Sequence, residues 1–273
     1  MFRIVLLLLF LFPFNLIAAD KVSLENETLL KQLDKAIEQK NQYREARIAK
    51  ADSLKKIMLN NTGEIRKEAI YSLYNIYERF KNDSALSVLN FATKLPEYKT
   101  DKAFCDYVNI SLGRTLSVMG IFTDAFEHLS KVNPEDANEK NRLLYYDVQH
   151  AANGWLADFY ETAAPNLANE SIKKTNEYND SIMKFEVDPI YLGLNKATKA
   201  YREGNILECI EIAKPLIDAN NSILNIYVYA ILAQAYEKYN DTEKEVYYLA
   251  QTAIGDITKG ITEYMARHKL AQV

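Results

Sequence analysis

Three histidines (His128, His150, His268) and two cysteines (Cys105, Cys209) are the side chains in this sequence best suited to metal or nucleophilic chemistry. Their spacing supports neither. No histidine has a second His or Cys at ligand distance along the chain, so the helical HExxH and the paired C-x-x-C arrangements that hold zinc are missing. There is no Gly-rich phosphate loop, no G-x-S-x-G elbow and no dinucleotide-binding fingerprint. Carboxylates are plentiful but fall on what read as solvated helix faces, whereas glycoside hydrolysis needs two of them poised across a bond. The expectation is a protein that is not an enzyme and takes no metal or cofactor.

A different set of residues suits recognition. Tyr107, Tyr191 and Tyr227 each precede a small residue (Gly113, Ala197, Ala233) by six positions, and Arg114, Tyr201 and Gln234 follow at helical offsets from those small residues. Tyrosine offers a flat apolar face with a polar tip, suited to stacking on a sugar ring or holding an extended peptide. These six residues are therefore the candidate ligand- or partner-binding set. The same tyrosines would equally serve as packing between neighbouring helices. Trp155 and Tyr160 carry the same two readings.

The elements that must position them are helical. Of 273 residues only 8 are Gly and 6 Pro, too few for the turns of an all-β sandwich. With 19 Tyr and 11 Phe there is ample surface to bury, which excludes a disordered chain. Lys plus Arg total 33 against 37 Asp plus Glu, without a basic stripe, so no direct nucleic-acid contact is expected.

The helices repeat. Leu112-Gly113, Leu116, Gly120, Phe122, Ala125, Leu129 and Pro134 fall where a tetratricopeptide repeat wants them: a close-packing Gly, a turn Gly, a small Ala and a closing Pro. A second copy reads Leu73, Tyr77, Ala85, Leu89, Ala92, Pro96. A third has Tyr201-Arg202-Glu203-Gly204-Asn205 with Cys209 in the small-residue slot. A fourth, Leu232-Ala233-Gln234-Ala235-Tyr236 through Leu249-Ala250, departs at Glu245, where Ala is expected. Between them, Arg142 to Ala164 reads as another helix pair. The fold expected is an all-α, tetratricopeptide-like solenoid of helical hairpins over residues 63–273. Its first helices would line a concave groove at the second, fifth, ninth and twelfth positions of each repeat. That register places the six candidate residues in the groove.

Two further segments precede the repeats. Residues 1–19 carry an early cation (Arg3), an apolar run from Ile4 to Ile17 and small residues at Ala18-Ala19, the pattern of a secretory signal peptide; an uncleaved anchor is the alternative. Export would put Cys105 and Cys209 where a disulfide can form, although both sit at positions suited to a free buried thiol. Residues 20–62 read as one long amphipathic helix with an apolar stripe of Leu30, Leu33, Ile37, Ile48, Leu54 and Met58, ending at Asn60-Asn61-Thr62-Gly63. It would cap the solenoid, or join two copies into a homodimer.

Several stretches together resemble the envelope-spanning, SusR-type transcriptional regulators of Bacteroidetes. They are Leu33-Asp34, Ile37, Tyr43, Arg44-Glu45-Ala46-Arg47-Ile48, Tyr71-x-Leu73-Tyr74-x-x-Tyr77, Asp83-Ser84-Ala85-Leu86 and Tyr247-Tyr248-Leu249-Ala250 through Gly255-Asp256-Ile257. The resemblance implies a periplasmic repeat domain that senses a nutrient, a glycan above all, followed by a membrane helix and a cytoplasmic DNA-binding region. This chain stops at Ala271-Gln272-Val273 in a helical pattern, so it is read as a truncated regulator, a fragment, or a free-standing sensor. Its expected partner is a protein, peptide or oligosaccharide, and any membrane attachment would come from a missing C-terminal segment. The rival reading is an envelope scaffold that holds other proteins together.

Overall fold

The computed structural model describes residues 3–79, 81–185, 188–217, 223–259 and 265–272, with side chains from residue 24 onward and Met265 excepted. The expected signal peptide, residues 1–19, lies outside the residues whose side chains are described. Among the described residues the structure holds α-helices and short 3-10 turns and no strand. The chain divides into two compact units, residues 45–188 and residues 1–44 with 189–273. The first helix, α1 (Arg3–Asn60), contributes to both.

In the unit of residues 45–188, three hairpins follow the end of α1. They are α2 (Gly63–Tyr77) with α3 (Asn82–Ala92), α5 (Lys102–Val118) with α6 (Phe122–Ser130), and α7 (Glu139–Tyr160) with α8 (Pro165–Ile182); a short α4 (Pro96–Thr100) leads into α5. Asp101 and Asn138 start α5 and α7 by accepting from the backbone N–H of Phe104 and Asn141, at 3.1 and 2.9 Å. In the other unit, α9 (Pro189–Arg202) pairs with α10 (Ile206–Ala213), and α11 (Leu224–Tyr239) with α12 (Thr242–Thr258); α13 (Met265–Leu270) packs on α12.

The repeat register is visible in the backbone. Gly120, Gly204 and Asn240 take left-handed φ values of 77°, 82° and 58°, and each lies five residues before the small-residue slot of the following helix. In all three turns the N–H of the next residue reaches back five positions (Ile121 to Leu116, Asn205 to Ala200, Asp241 to Tyr236), the bond of a Schellman cap. The slot residues Ala85, Ala125 and Cys209 are fully buried, and the fourth slot holds Glu245, 8% exposed. Close approach of paired helices explains Gly113: a Cβ there would stand 2.5 Å from Leu129 Cγ.

Three expectations are corrected. The buried side of α1 is Leu29, Leu33, Ala36, Ala51 and Met58, while Leu30, Ile37 and Ile48 are each more than a third exposed. Of the expected stripe Leu33 and Met58 are buried and Leu54 is half-buried, and Leu29, Ala36 and Ala51 complete the buried side. Arg142 to Ala164 is not a helix pair. It lies mostly within α7, one continuous helix over Glu139–Tyr160, whose partner is α8. Finally, both cysteines are free thiols, as their positions suggested, but Cys105 is half-buried rather than buried.

Candidate functional site

In the unit of residues 45–188 the first helices of three successive hairpins, α2, α5 and α7, enclose a cavity of about 180 Å³. Its lining from α5 is Tyr107, Ile110, Ser111 and Arg114; α2 supplies Tyr74 and Asn75, and the turn that follows it Glu78 and Arg79; α7 supplies Leu144 and Val148. Tyr107, Ile110 and Arg114 occupy the second, fifth and ninth positions of their repeat. One face of a helix repeats at offsets of three and four, so these three side chains emerge on the same side.

Aromatic packing holds the floor. The Tyr107 ring meets Tyr71 edge-on at 4.4 Å and Tyr74 at 6.1 Å between centroids, and Tyr107 is 8% exposed. The Tyr74 hydroxyl donates to the Ser111 carbonyl at 3.2 Å and lies 3.4 Å from the Thr115 hydroxyl. Burial pushes the Tyr74 phenol up to about 12, and burial with the nearby Tyr74 pushes Tyr107 further up, so both stay protonated near neutral pH. Tyr107 Oη and Ser111 Oγ are buried and make no hydrogen bond of ordinary geometry among the described residues, although the Ser111 hydroxyl is close enough to act on the Tyr107 phenol.

Charge surrounds this floor. Arg114 is ion-paired with Asp147 of α7, which ties α5 to α7 beside the cavity. Arg79 Nε stands 3.6 Å from Glu78 Oε1. Arg47, on α1, has its guanidinium pKa lowered by burial and by the like charge of Arg79, and partly restored by Glu78.

Of the six residues expected in a groove, the structure brings Tyr107 and Arg114 to this one cavity. The other four lie in the other unit, with Tyr191 and Tyr201 on α9 and Tyr227 and Gln234 on α11. Tyr201 packs against that unit's apolar core, Tyr191 and Tyr227 are half-buried, and Gln234 is exposed. Trp155 and Tyr160 are half-buried on α7. Sequence reasoning missed Tyr74, Ser111, Glu78, Arg79 and Asp147. Glu78 was accessible through the repeat register, since aligning Leu73 with Leu112 makes it a twelfth-position residue. Ser111 and Asp147 carry no such signal.

The histidines hold local structure. His128 Nδ1 is 3.0 Å from Asn109 Oδ1, and His150 Nδ1 is 3.1 Å from the Thr175 carbonyl. Among the described residues no group of three His, Cys, Asp or Glu side chains could hold a metal ion, and no helix is long and apolar enough to cross a membrane.

Stacked helical hairpins in tetratricopeptide register define a helical-repeat domain, of a class that generally mediates protein interactions. The sequence profile of the SusR N-terminal TPR domain family matches residues 37–273, and the chain belongs to that family. Neither a curated protein nor a solved structure matches the sequence.

Proposed function

We propose that this chain is the exported, non-enzymatic sensory domain of a transcriptional regulator of nutrient use, and that it binds its ligand or partner through the first helices of its hairpins. The observation that carries the reading is the α2–α5–α7 cavity, whose α5 wall holds three groove positions and the buried hydroxyls of Tyr107 and Ser111, which make no hydrogen bond of ordinary geometry. A packing role alone would leave no reason to keep an unsatisfied hydroxyl on a buried floor, because that costs stability. Family membership over residues 37–273 supports the link to regulation, and the apolar run before Asp20 supports export. Occupation of the cavity would tie three hairpins together and so favour one relative arrangement of α2, α5 and α7.

The test is a thermal-melt screen of the full chain against a panel of glycans and peptides, paired with an immunoblot of fractionated cells. Saturable stabilisation by one class, lost on Arg114→Ala, is the expected result. If no member of either class moves the melting temperature, binding of a small ligand by this face is refuted. A band confined to the cytoplasm would refute export.

A further inference from the structure

We infer that α8 is a releasable strap, which undocks from α7 as a unit while α2, α3, α5, α6 and α7 stay folded. The inference concerns the third hairpin of the unit of residues 45–188 and does not depend on the binding role proposed above.

What α8 buries sets its hold. Its buried stripe is Ala168, Ser171, Thr175, Asn179 and Ile182, spaced by three and four residues as one helix face requires. Ile182 is the one large apolar side chain in it; Ile172 and Tyr178 are half-buried. The shorter α3 buries Val88 and Leu89 with two alanines, and α2 buries Ile70, Leu73, Tyr74 and Ile76. The unit has two buried apolar clusters. One joins α1, α2, α3 and α5 around Ile70, Leu73, Leu89 and Phe104; the other joins α5, α6 and α7 around Ile110, Leu129, Tyr145 and Val148. No α8 side chain is a buried member of either, and Tyr178 packs on the rim of the second. Burial of apolar area is the main favourable term in folding, so this 18-residue helix is held by little of it.

The facing side of α7 is of the same kind. Tyr146, with its ring 6.3 Å from that of Tyr178, and His150, with Nδ1 3.1 Å from the Thr175 carbonyl, mark the face that meets α8. Gln149, Asn153 and Ala157 follow Tyr146 by three, seven and eleven residues, which places them on that face, and all three are buried. Several of the polar groups are satisfied within their own helix. The Thr175 hydroxyl donates to the Ser171 carbonyl at 3.0 Å, Asn153 Nδ2 to the Gln149 carbonyl at 2.8 Å, and Gln149 Nε2 to the Tyr145 hydroxyl at 2.9 Å. These bonds survive when the two helices part, whereas parting an apolar face costs in proportion to the area wetted. Small side chains let α7 and α8 lie close, but closeness through Ala, Ser and Thr removes little apolar surface from water.

Release has a consequence for the cavity. On its other side α7 carries Leu144 and Val148 in the cavity wall and Asp147 in its ion pair with Arg114. Docked, α8 braces that wall from behind; released, it leaves α7 held by α5 and α6 alone. The docking equilibrium of α8 is therefore a control on the wall that is built into the hairpin.

Native-state hydrogen exchange of the full chain, read by mass spectrometry of peptic fragments in urea below the unfolding transition, is the experiment. Amides in the middle of α8 should be at least tenfold less protected than those in the middle of α5 and α7. Their exchange should also depend less steeply on urea than global unfolding does. Equal protection of the three helices, or one shared urea dependence, would overturn the inference. Two variants then change the hold at α8 alone. Ser171→Ala with Thr175→Val keeps the size of the stripe and makes it apolar, so α8 should gain at least threefold in protection while α5 is unchanged. Ile182→Ala removes the one large buried side chain, so α8 should lose at least tenfold while α5 again holds. The absence of either shift, or an equal shift in α5, would count against the strap. Global loss of structure in Ile182→Ala would contradict a separable α8 outright.

Discussion

Replacing Gly113 with alanine tests whether the close approach of α5 and α6 is what the repeat register requires. The new Cβ would stand 2.5, 2.7 and 3.1 Å from Cγ, Cδ2 and Cδ1 of Leu129, a fully buried side chain. Carbon atoms settle at about 3.5–4.0 Å, so Leu129 must withdraw by about 1 Å in a packed core. Overpacking of that kind costs about 1–3 kcal/mol. Against it, alanine in place of glycine inside a helix gains about 1 kcal/mol. The balance is a net loss of about 1 kcal/mol, or roughly 2–4 °C in melting temperature for a domain of this size. The informative step is the double variant. Leu129→Ala alone should cost about 2–5 kcal/mol through the cavity it leaves. In that background Gly113→Ala has nothing to strike and should stabilise by about 1 kcal/mol, so the sign of its effect inverts. Urea unfolding followed by circular dichroism and by the fluorescence of Trp155, in the same unit, measures both legs of the cycle. A stabilising Gly113→Ala in the parent chain, or an equal cost in both backgrounds, would refute the close-approach argument.

Other perturbations have equally definite outcomes. Glu245 fills a slot that elsewhere holds Ala or Cys, and burial together with Glu237 raises its carboxyl above the ordinary range, partly opposed by Lys269. Because the folded form then holds a proton that the unfolded form releases, the stability of the parent chain should fall as pH rises from the unfolded value of about 4.3 through the folded one. Glu245→Gln should lack that fall, and parallel slopes in a pH series of urea melts would count against it. Cys209 is fully buried and its thiol is pushed up to about 11 by burial, whereas Cys105 is half-buried. A thiol reagent at pH 7.5 should therefore modify Cys105 well before Cys209, which should wait for unfolding, as mass spectrometry would record. Asn240→Ala should destabilise by about 1 kcal/mol, because φ is 58° there and alanine tolerates a left-handed conformation poorly, while Asn240→Gly should be neutral or slightly stabilising in the same melts.

Much of the fold was legible because the repeat signals are local. Gly120 and Gly204 mark turns, Gly113 and Ala125 mark close contacts, and each works through its own backbone or a neighbour on the next helix. Legibility failed where the cue was non-local. The stretch Arg142 to Ala164, read as a helix pair, lies mostly within the single helix α7, whose partner α8 comes later in the chain. The large apolar residues Leu30, Ile37 and Ile48 drew the stripe on α1 away from Ala36 and Ala51, whose smallness mattered more than hydrophobicity.

The candidate site divides in the same way. Its α5 wall of Tyr107, Ile110 and Arg114 follows from helical spacing once the repeat register is known, so the sequence by itself determined the helical class, the register and which face of α5 would be offered. The tertiary structure alone decided that Asp147 reaches Arg114 across 33 positions of chain, that Tyr74 packs on Tyr107 and bonds the Ser111 carbonyl, and that the buried hydroxyls of Tyr107 and Ser111 make no hydrogen bond of ordinary geometry. Helical periodicity sets the direction in which a side chain leaves its own helix. What it meets depends on the distance and rotation of the neighbouring helix, which are set by packing across residues far apart in the chain.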